Sequence, residues 1–387
     1  MKPIYFDHSA TTPVDPEVAA LMMEYIAENY GNPSSFHSFG REARKAVGEA
    51  REKVAALIGA NANEIYFTSG GTESNNLAIK GVALANLKKG NHIITSAIEH
   101  HAVIHTCQFL EKNGFKVSYL PVDKYGMVRV DDLKKEITNK TVLISIMYAN
   151  NEVGTIQPIR EIGAIAREKG IYFHTDAVGA AGNYPINVKE TRIDLLTISG
   201  HKFQAPKGIG ALYIHRGVRI ESIQHGAVQE NHMRAGTENV PGIVSLGKAC
   251  EIAKRDMDYK TVYVSRLRDK IIQKVMLKIP YVKLNGHPTF RVPGNVNLSF
   301  KGVEGESLIL GLELKGIAVS SGSACSSGSL DPSHVLSAMG LTHEEAHGSL
   351  RITLGRSNTD EEVDYFLDVL PDIVKRLRDL SPLSIGE

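Results

Sequence analysis

The run Tyr66-Phe67-Thr68 reads as a strand end, and Ser69-Gly70-Gly71-Thr72-Glu73-Ser74-Asn75-Asn76 follows it, two glycines and then hydroxyl-rich residues that open a helix. Such a junction presents unpaired backbone N–H groups and the positive end of a helix dipole, a cradle for an anion and typically for a phosphate. The bland alternative is a plain strand–turn–helix with Thr72 as N-cap. No P-loop lysine and no G-x-G-x-x-G accompany these glycines, so they do not point to a nucleotide fold.

Phe173-His174-Thr175-Asp176-Ala177 places an acid at the carboxyl end of a strand, the edge where open α/β sheets bind ligands. Soon after, Thr197-Ile198-Ser199-Gly200-His201-Lys202-Phe203 places a lysine beyond another strand end. An acid and a lysine so placed suit pyridoxal phosphate. That cofactor needs an amine for its Schiff base and a carboxylate that keeps its pyridine nitrogen protonated, so that the ring acts as an electron sink. Ser199 and His201 flank the lysine as candidate phosphate donors. Each residue alone is ordinary, but together, downstream of an anion cradle, they form a constellation.

A third feature is the segment from Val319 to Ser329, where Cys325 sits among Ser, Gly and Ala residues that cannot build a core. Cys107 and Cys250 fall in amphipathic helical stretches and read as buried thiols. Cys325 reads instead as an exposed thiolate able to move between partners. His343-Glu344-Glu345-Ala346-His347 matches H-E-x-x-H, the zinc-protease signature, but Gly348 and a strand-like run follow at once. One helical turn is too short for that site, so zinc chemistry is set aside. His101 and His105, four apart on a helix, read as a polar face.

The elements that must position these residues alternate. Asp15-Pro16-Glu17 reads as N-cap, N1 proline and first-turn acid, and Arg41–Ile58 as an amphipathic helix ended by Gly59. Short β-rich runs follow at Glu64–Thr68, His92–Ser96, Lys116–Pro121, Thr141–Tyr148, Ile171–Asp176, Asp194–Ser199 and Gly210–Ile214. Helical patterns such as Leu77–Lys88, Ala102–Lys112 and Ile159–Lys169 separate most of them. Brief apolar runs alternating with helices predict a parallel sheet covered on both faces. After about Met257 the pattern changes to a long polar helix (Lys260–Lys278), strands at Asn295–Phe300, Ala318–Ser320 and Leu350–Leu354, and helices at Ser307–Lys315 and Asp360–Leu380. The expected division is a large domain, 14–257, and a smaller α/β domain made of 1–13 and 258–387 that carries the Cys325 loop.

Of 387 residues, 44 are Lys or Arg and 43 are Asp or Glu, a net charge of +1 that makes no case for nucleic-acid or membrane-surface binding. Three cysteines do not make a disulfide framework and fit a reducing compartment. The longest apolar runs, such as Val142 to Met147, are far too short to span a bilayer. The expectation is a soluble cytoplasmic protein.

These residues resemble a known family. Tyr5-Phe6-Asp7-His8-Ser9-Ala10-Thr11-Thr12-Pro13, Gly31-Asn32-Pro33-Ser34-Ser35, Ser69-Gly70-Gly71-Thr72-Glu73-Ser74, Glu99-His100, Asn150-Asn151-Glu152-Val153-Gly154, Ser199-Gly200-His201-Lys202, Arg234-Ala235-Gly236-Thr237-Glu238-Asn239 and Ser320-Ser321-Gly322-Ser323-Ala324-Cys325 occur in the order seen in cysteine desulfurases of the NifS/IscS type. The resemblance covers nearly the whole chain. It implies a fold-type I pyridoxal phosphate enzyme, α/β, with a mostly parallel seven-stranded sheet flanked by helices in the large domain. It implies that Lys202 carries the cofactor and transfers protons, that Asp176 pairs with the pyridine nitrogen, and that His100 stacks on the ring. Gly71, Thr72, Ser199 and His201 are then the phosphate ligands, with Thr237 contributed by the neighbouring subunit of a homodimer. Asn151 lies by the phenolic oxygen, and Arg351 clamps the carboxylate of L-cysteine. Cys325 becomes the nucleophile that leaves alanine and a persulfide, delivered to an IscU/NifU-like scaffold for iron–sulfur cluster assembly or to another acceptor. The other readings are a related pyridoxal phosphate lyase or aminotransferase, against which Cys325 argues, and a weakly active homologue serving as a sulfur-transfer partner.

The sequence departs from the family pattern in three places. Gly179 stands where a Gln usually donates to the phenolic oxygen, a loss on the order of 1–3 kcal/mol for that atom. Ala227 and Val228 replace two usual glycines, and Gln204-Ala205 stands where Tyr-Gly is common.

Overall fold

The computed structural model describes residues 3–321 and 332–381. Its centre is a seven-stranded sheet in the order Ile65–Thr68, Gly210–Ile214, Leu195–Ser199, Tyr172–Asp176, Thr141–Ser145, His92–Ser96, Lys116–Leu120. Gly210–Ile214 runs antiparallel to both of its neighbours, and all other pairings are parallel. Four of the inner strands are buried at every position, and Tyr172–Asp176 at all but its first, which is why they read as brief buried runs rather than alternating ones.

Both faces are covered, and adjacent residues of one strand serve opposite faces. Ile93, Leu143 and Leu195 join Leu77, Val82, Val103 and Leu110 on one side. Ile94, Ile144 and Leu196 join Ala50, Ile162 and Leu246 on the other. A separate cluster gathers Ile4 and Phe6 with Leu267, Ile271, Leu298, Leu350, Ile352 and Phe366. It surrounds the antiparallel sheet Ser349–Thr353, Asn295–Phe300, Val282–Leu284. Ile4–Tyr5 pairs in parallel with Ile317–Ala318, so the start of the chain packs with its last third.

Asp15 caps the first helix, Pro16–Ala27, by accepting from the Glu17 N–H at 2.8 Å. Several boundaries differ from expectation. The helix expected from Leu77 starts at Gly71, with Gly70 rather than Thr72 at the N-cap. The cap has φ +151°, which favours glycine, so its backbone geometry and not a side chain ends the turn. The amphipathic helical stretch read around Cys250 is the helix Val240–Arg255, whose bounds were not read from sequence; it is capped by the Asn239 side chain, and eleven of its sixteen residues are buried. Ser307–Lys315 is displaced to Gly305–Glu313, and the strand at Ala318–Ser320 to Ile317–Ala318. Cys107 and Cys250 are buried free thiols, as expected. The H-E-x-x-H segment is a single turn, His343–His347, with Gly348 at its C-cap. Among the described residues no helix is long and apolar enough to cross a membrane.

Candidate active site

The cradle is built by the end of the edge strand Ile65–Thr68 and the first turn of Gly71–Ala85. Thr68 Oγ1 and Ser74 Oγ lie 2.8 Å apart, and the Glu73 carboxylate accepts from the Ser69 N–H at 2.8 Å, so the turn is braced on both sides. A Cβ on Gly71 would stand 2.8 Å from Val178 Cγ2, and one on Gly70 would enter the space before Ser199 Oγ, 3.8 Å away. The glycines therefore leave bare backbone where an anion can approach the helix N-terminus.

Asp176 and Lys202 arrive from the sheet. The strand Tyr172–Asp176 ends on Asp176, whose Oδ2 accepts from Asn75 Nδ2 at 2.6 Å and whose Oδ1 accepts from the Val178 N–H at 2.9 Å. The two donors fix the orientation of this buried carboxylate. The neighbouring strand Leu195–Ser199 runs into the short turn Gly200–Lys202. The Lys202 ammonium donates to the carbonyls of Ser9 and Ala10, the latter at 2.9 Å. His201 Nδ1 lies 3.1 Å from Thr11 Oγ1, and burial, helped by Lys202 and Lys207, pushes its pKa down to about 4.

His100 caps the helix His101–Lys112: its Nδ1 accepts from the Ala102 N–H at 3.1 Å, which assigns the ring proton to Nε2. Burial lowers its pKa; Asp176 opposes that shift and Lys202 reinforces it. The imidazole is therefore neutral. Beside it, Glu99 is fully buried, and burial pushes its pKa up to about 8. Its Oε1 accepts from Ser96 Oγ at 2.6 Å and from the Met147 N–H at 2.9 Å.

One cavity of about 360 Å³ unites these groups. Gly71, Thr72, His100, Asn151, Asp176, Ser199, His201 and Lys202 all line it, and Gly179 lies in its wall. Two sequence-derived candidates do not line it. Arg351 is 1% exposed and donates to Asp7 Oδ1 at 3.0 Å and Ser320 Oγ at 3.3 Å. Thr237 is exposed on the isolated chain. Cys325 lies outside the described residues. Sequence reasoning missed Asn75 as the partner of Asp176, and it missed Glu73, Met147 and Ala149 in the cavity wall. Asn75 was recoverable: four residues after Gly71, it faces the same side of the helix.

The class-V aminotransferase family model matches residues 4–366. The chain belongs to that family. Among relatives of this class-V aminotransferase, the cysteine desulfurase IscS of Methanosarcina thermophila is 59% identical over 386 residues, covering 100% of this chain and 95% of that one. A solved NifS-like protein superposes with a TM-score of 0.91 at 40% identity, covering 97% of this chain and 100% of that one. SspA, solved in complex with cysteine, reaches 0.82 at 37% identity, covering 92% and 100%. Pyridoxal phosphate fits the class-V site on structural grounds: a side chain at Gly70 or Gly71 would fill the cradle, a carboxylate held by two donors faces it, and Lys202, just past the strand end, opens on the same cavity.

Proposed function

We propose that this chain is a pyridoxal phosphate-dependent cysteine desulfurase that converts L-cysteine to L-alanine and takes the sulfur onto Cys325. The observation that carries the reading is the convergence of Lys202, Asp176 and the glycine cradle on one cavity. The exchange balances without an external redox partner: the substrate's C–S bond breaks, the Cys325 thiolate gains the sulfur as a persulfide, and a proton takes its place on the carbon that becomes the alanine methyl.

When bound, pyridoxal phosphate supplies an electron-withdrawing ring for the electron pair released at the substrate's α-carbon. Lys202 carries the cofactor and moves the proton at that carbon. Asp176, supported by Asn75, keeps the ring nitrogen protonated. His100 covers the ring as a neutral imidazole, with its Nε2 proton available. Gly71, Thr72, Ser199 and His201 would hold the phosphate, Asn151 would serve the phenolic oxygen, and Thr237 would serve the phosphate of a second subunit in a homodimer. Arg351 clamps the substrate carboxylate; in support, its buried Nε has no partner among the described residues and is a donor to spare. The persulfide passes to an IscU/NifU-like scaffold in the cytoplasm. Residues 14–257 form the cofactor-binding domain, and 1–13 with 258–387 form the domain that carries Cys325; in support, the apolar cluster of Ile4 and Phe6 with Leu267, Leu298, Leu350 and Phe366 lies wholly within the second of these.

The test incubates the protein with L-cysteine and a thiol reductant and measures alanine and sulfide. Both are expected in equal amounts, and Cys325→Ser abolishes both. Equal alanine from the two proteins removes Cys325 from its role, and neither product from the parent removes the desulfurase reading.

A further inference from the structure

By charge, Glu73 is misplaced. It stands in the first turn of the cradle's helix and lines the same cavity, where a carboxylate opposes a bound phosphate. Two contacts account for it. Its Oε2 accepts from the Ser69 N–H at 2.8 Å, which ties down the turn, and its Oε1 accepts from Arg234 Nε at 3.0 Å. Both side chains are largely buried, at 19% and 24% exposure. Burial works against the charge on Glu73, but the bonds from Ser69 and Arg234 outweigh it and hold its pKa below the usual carboxylate range.

Arg234 comes from a segment that is itself fastened to the cradle. Glu230, Asn231 and His232 lie at φ +45°, +52° and +66°, costly conformations for residues with side chains. The Glu230 carboxylate pins that run: it accepts from Arg51 at 2.8 and 2.6 Å and from the Phe67 N–H at 2.8 Å. Phe67 belongs to the strand that ends in the cradle. The guanidinium is thus referenced to the same strand whose turn it serves.

Building on the reading of this cavity as a pyridoxal phosphate site, we infer that Arg234 is a positioning residue of the anion cradle: it cancels the charge of Glu73, so that Glu73 braces the Ser69 turn without repelling the cofactor's phosphate. The role belongs to the phosphate alone and not to the aldehyde or the ring.

The test titrates the full chain, freed of cofactor, with pyridoxal phosphate and with pyridoxal, which lacks the phosphate, following absorbance. Arg234→Met is expected to weaken pyridoxal phosphate about tenfold, and less at high salt, while pyridoxal is unaffected. Glu73→Gln keeps an oxygen acceptor for Ser69 and removes the charge. Added to Arg234→Met, it is expected to bring affinity back to within about threefold of the parent. Equal losses for both aldehydes, no loss at all, or failure of Glu73→Gln to restore binding would each overturn the inference. A parent that binds neither aldehyde overturns the cofactor reading instead.

Discussion

Gly179 stands where the resemblance to the desulfurases leads one to expect a glutamine, and the structure separates two consequences of refilling it. A Cβ at position 179 would stand 2.9 Å from the carbonyl oxygen of Ala149. That carbonyl cannot move alone: Ala149 bridges to Ile156, the Gln157 N–H donates to Tyr148 O at 3.0 Å, and the Asn150 N–H donates to Thr155 O at 3.0 Å. Overpacking of this kind costs about 1–3 kcal/mol, and Gly179→Ala and Gly179→Gln incur it alike. Only Gln adds an amide donor for the cofactor's phenolic oxygen, an interaction of about 1–3 kcal/mol. Stabilising that oxygen as an anion loosens the nearby Schiff-base proton, so the pH at which the bound cofactor changes colour falls. At about 1.36 kcal/mol per unit, the shift is about one to two pH units. The assay is an absorbance titration of the parent and both variants, with thermal melts alongside. Both variants should lose similar stability, and only Gln should move the colour transition downward. Identical titrations for Gln and Ala would refute the argument.

Two further outcomes are expected. Glu230→Ala leaves the Phe67 N–H unpaired and the Arg51 guanidinium without its carboxylate, holding only the Ile65 carbonyl and the Phe67 ring, a loss of about 3–5 kcal/mol and roughly 10 °C in melting temperature; Arg51→Met in the same background should recover part of it, and a melt within about 2 °C of the parent would show that the clamp is not holding the loop. Glu99 keeps its proton in the folded state up to about pH 8, whereas the unfolded chain releases it near the ordinary carboxylate value of 4.5. Through this window the native state binds the extra proton, so rising pH costs stability, about 1.4 kcal/mol per unit from this group. Glu99→Gln should flatten the profile by that amount, leaving the contribution of Glu152, whose pKa burial raises to about 7 and whose window therefore closes earlier; parallel profiles in urea melts across the window would contradict the assignment.

The parallel core was legible because its strands are buried on both faces: Ile93 and Ile94, or Leu195 and Leu196, are apolar neighbours that serve opposite layers. Asp176 and Lys202 were legible because each follows the apolar run of its own strand, so a local pattern places them at the sheet's ligand edge. The alternative of a Thr72 cap fails because, although a hydroxyl after two glycines is a good cap by composition, the positive φ of Gly70 starts the helix two residues earlier than a Thr72 cap allows. Arg351 was legible as a strand residue, but its pairing with Asp7 was not, since 344 residues separate them.

By itself the sequence determined the element types, the residue at each strand end and the bareness of the Gly70–Gly71 turn, all of which follow from preferences acting over a few residues. Only the tertiary structure decided that Asn75 braces Asp176 across 101 residues, and that Arg234 reaches Glu73 across 161. Strand order and register set such distances, and they arise from the simultaneous packing of both sheet faces, which no local stretch of sequence encodes.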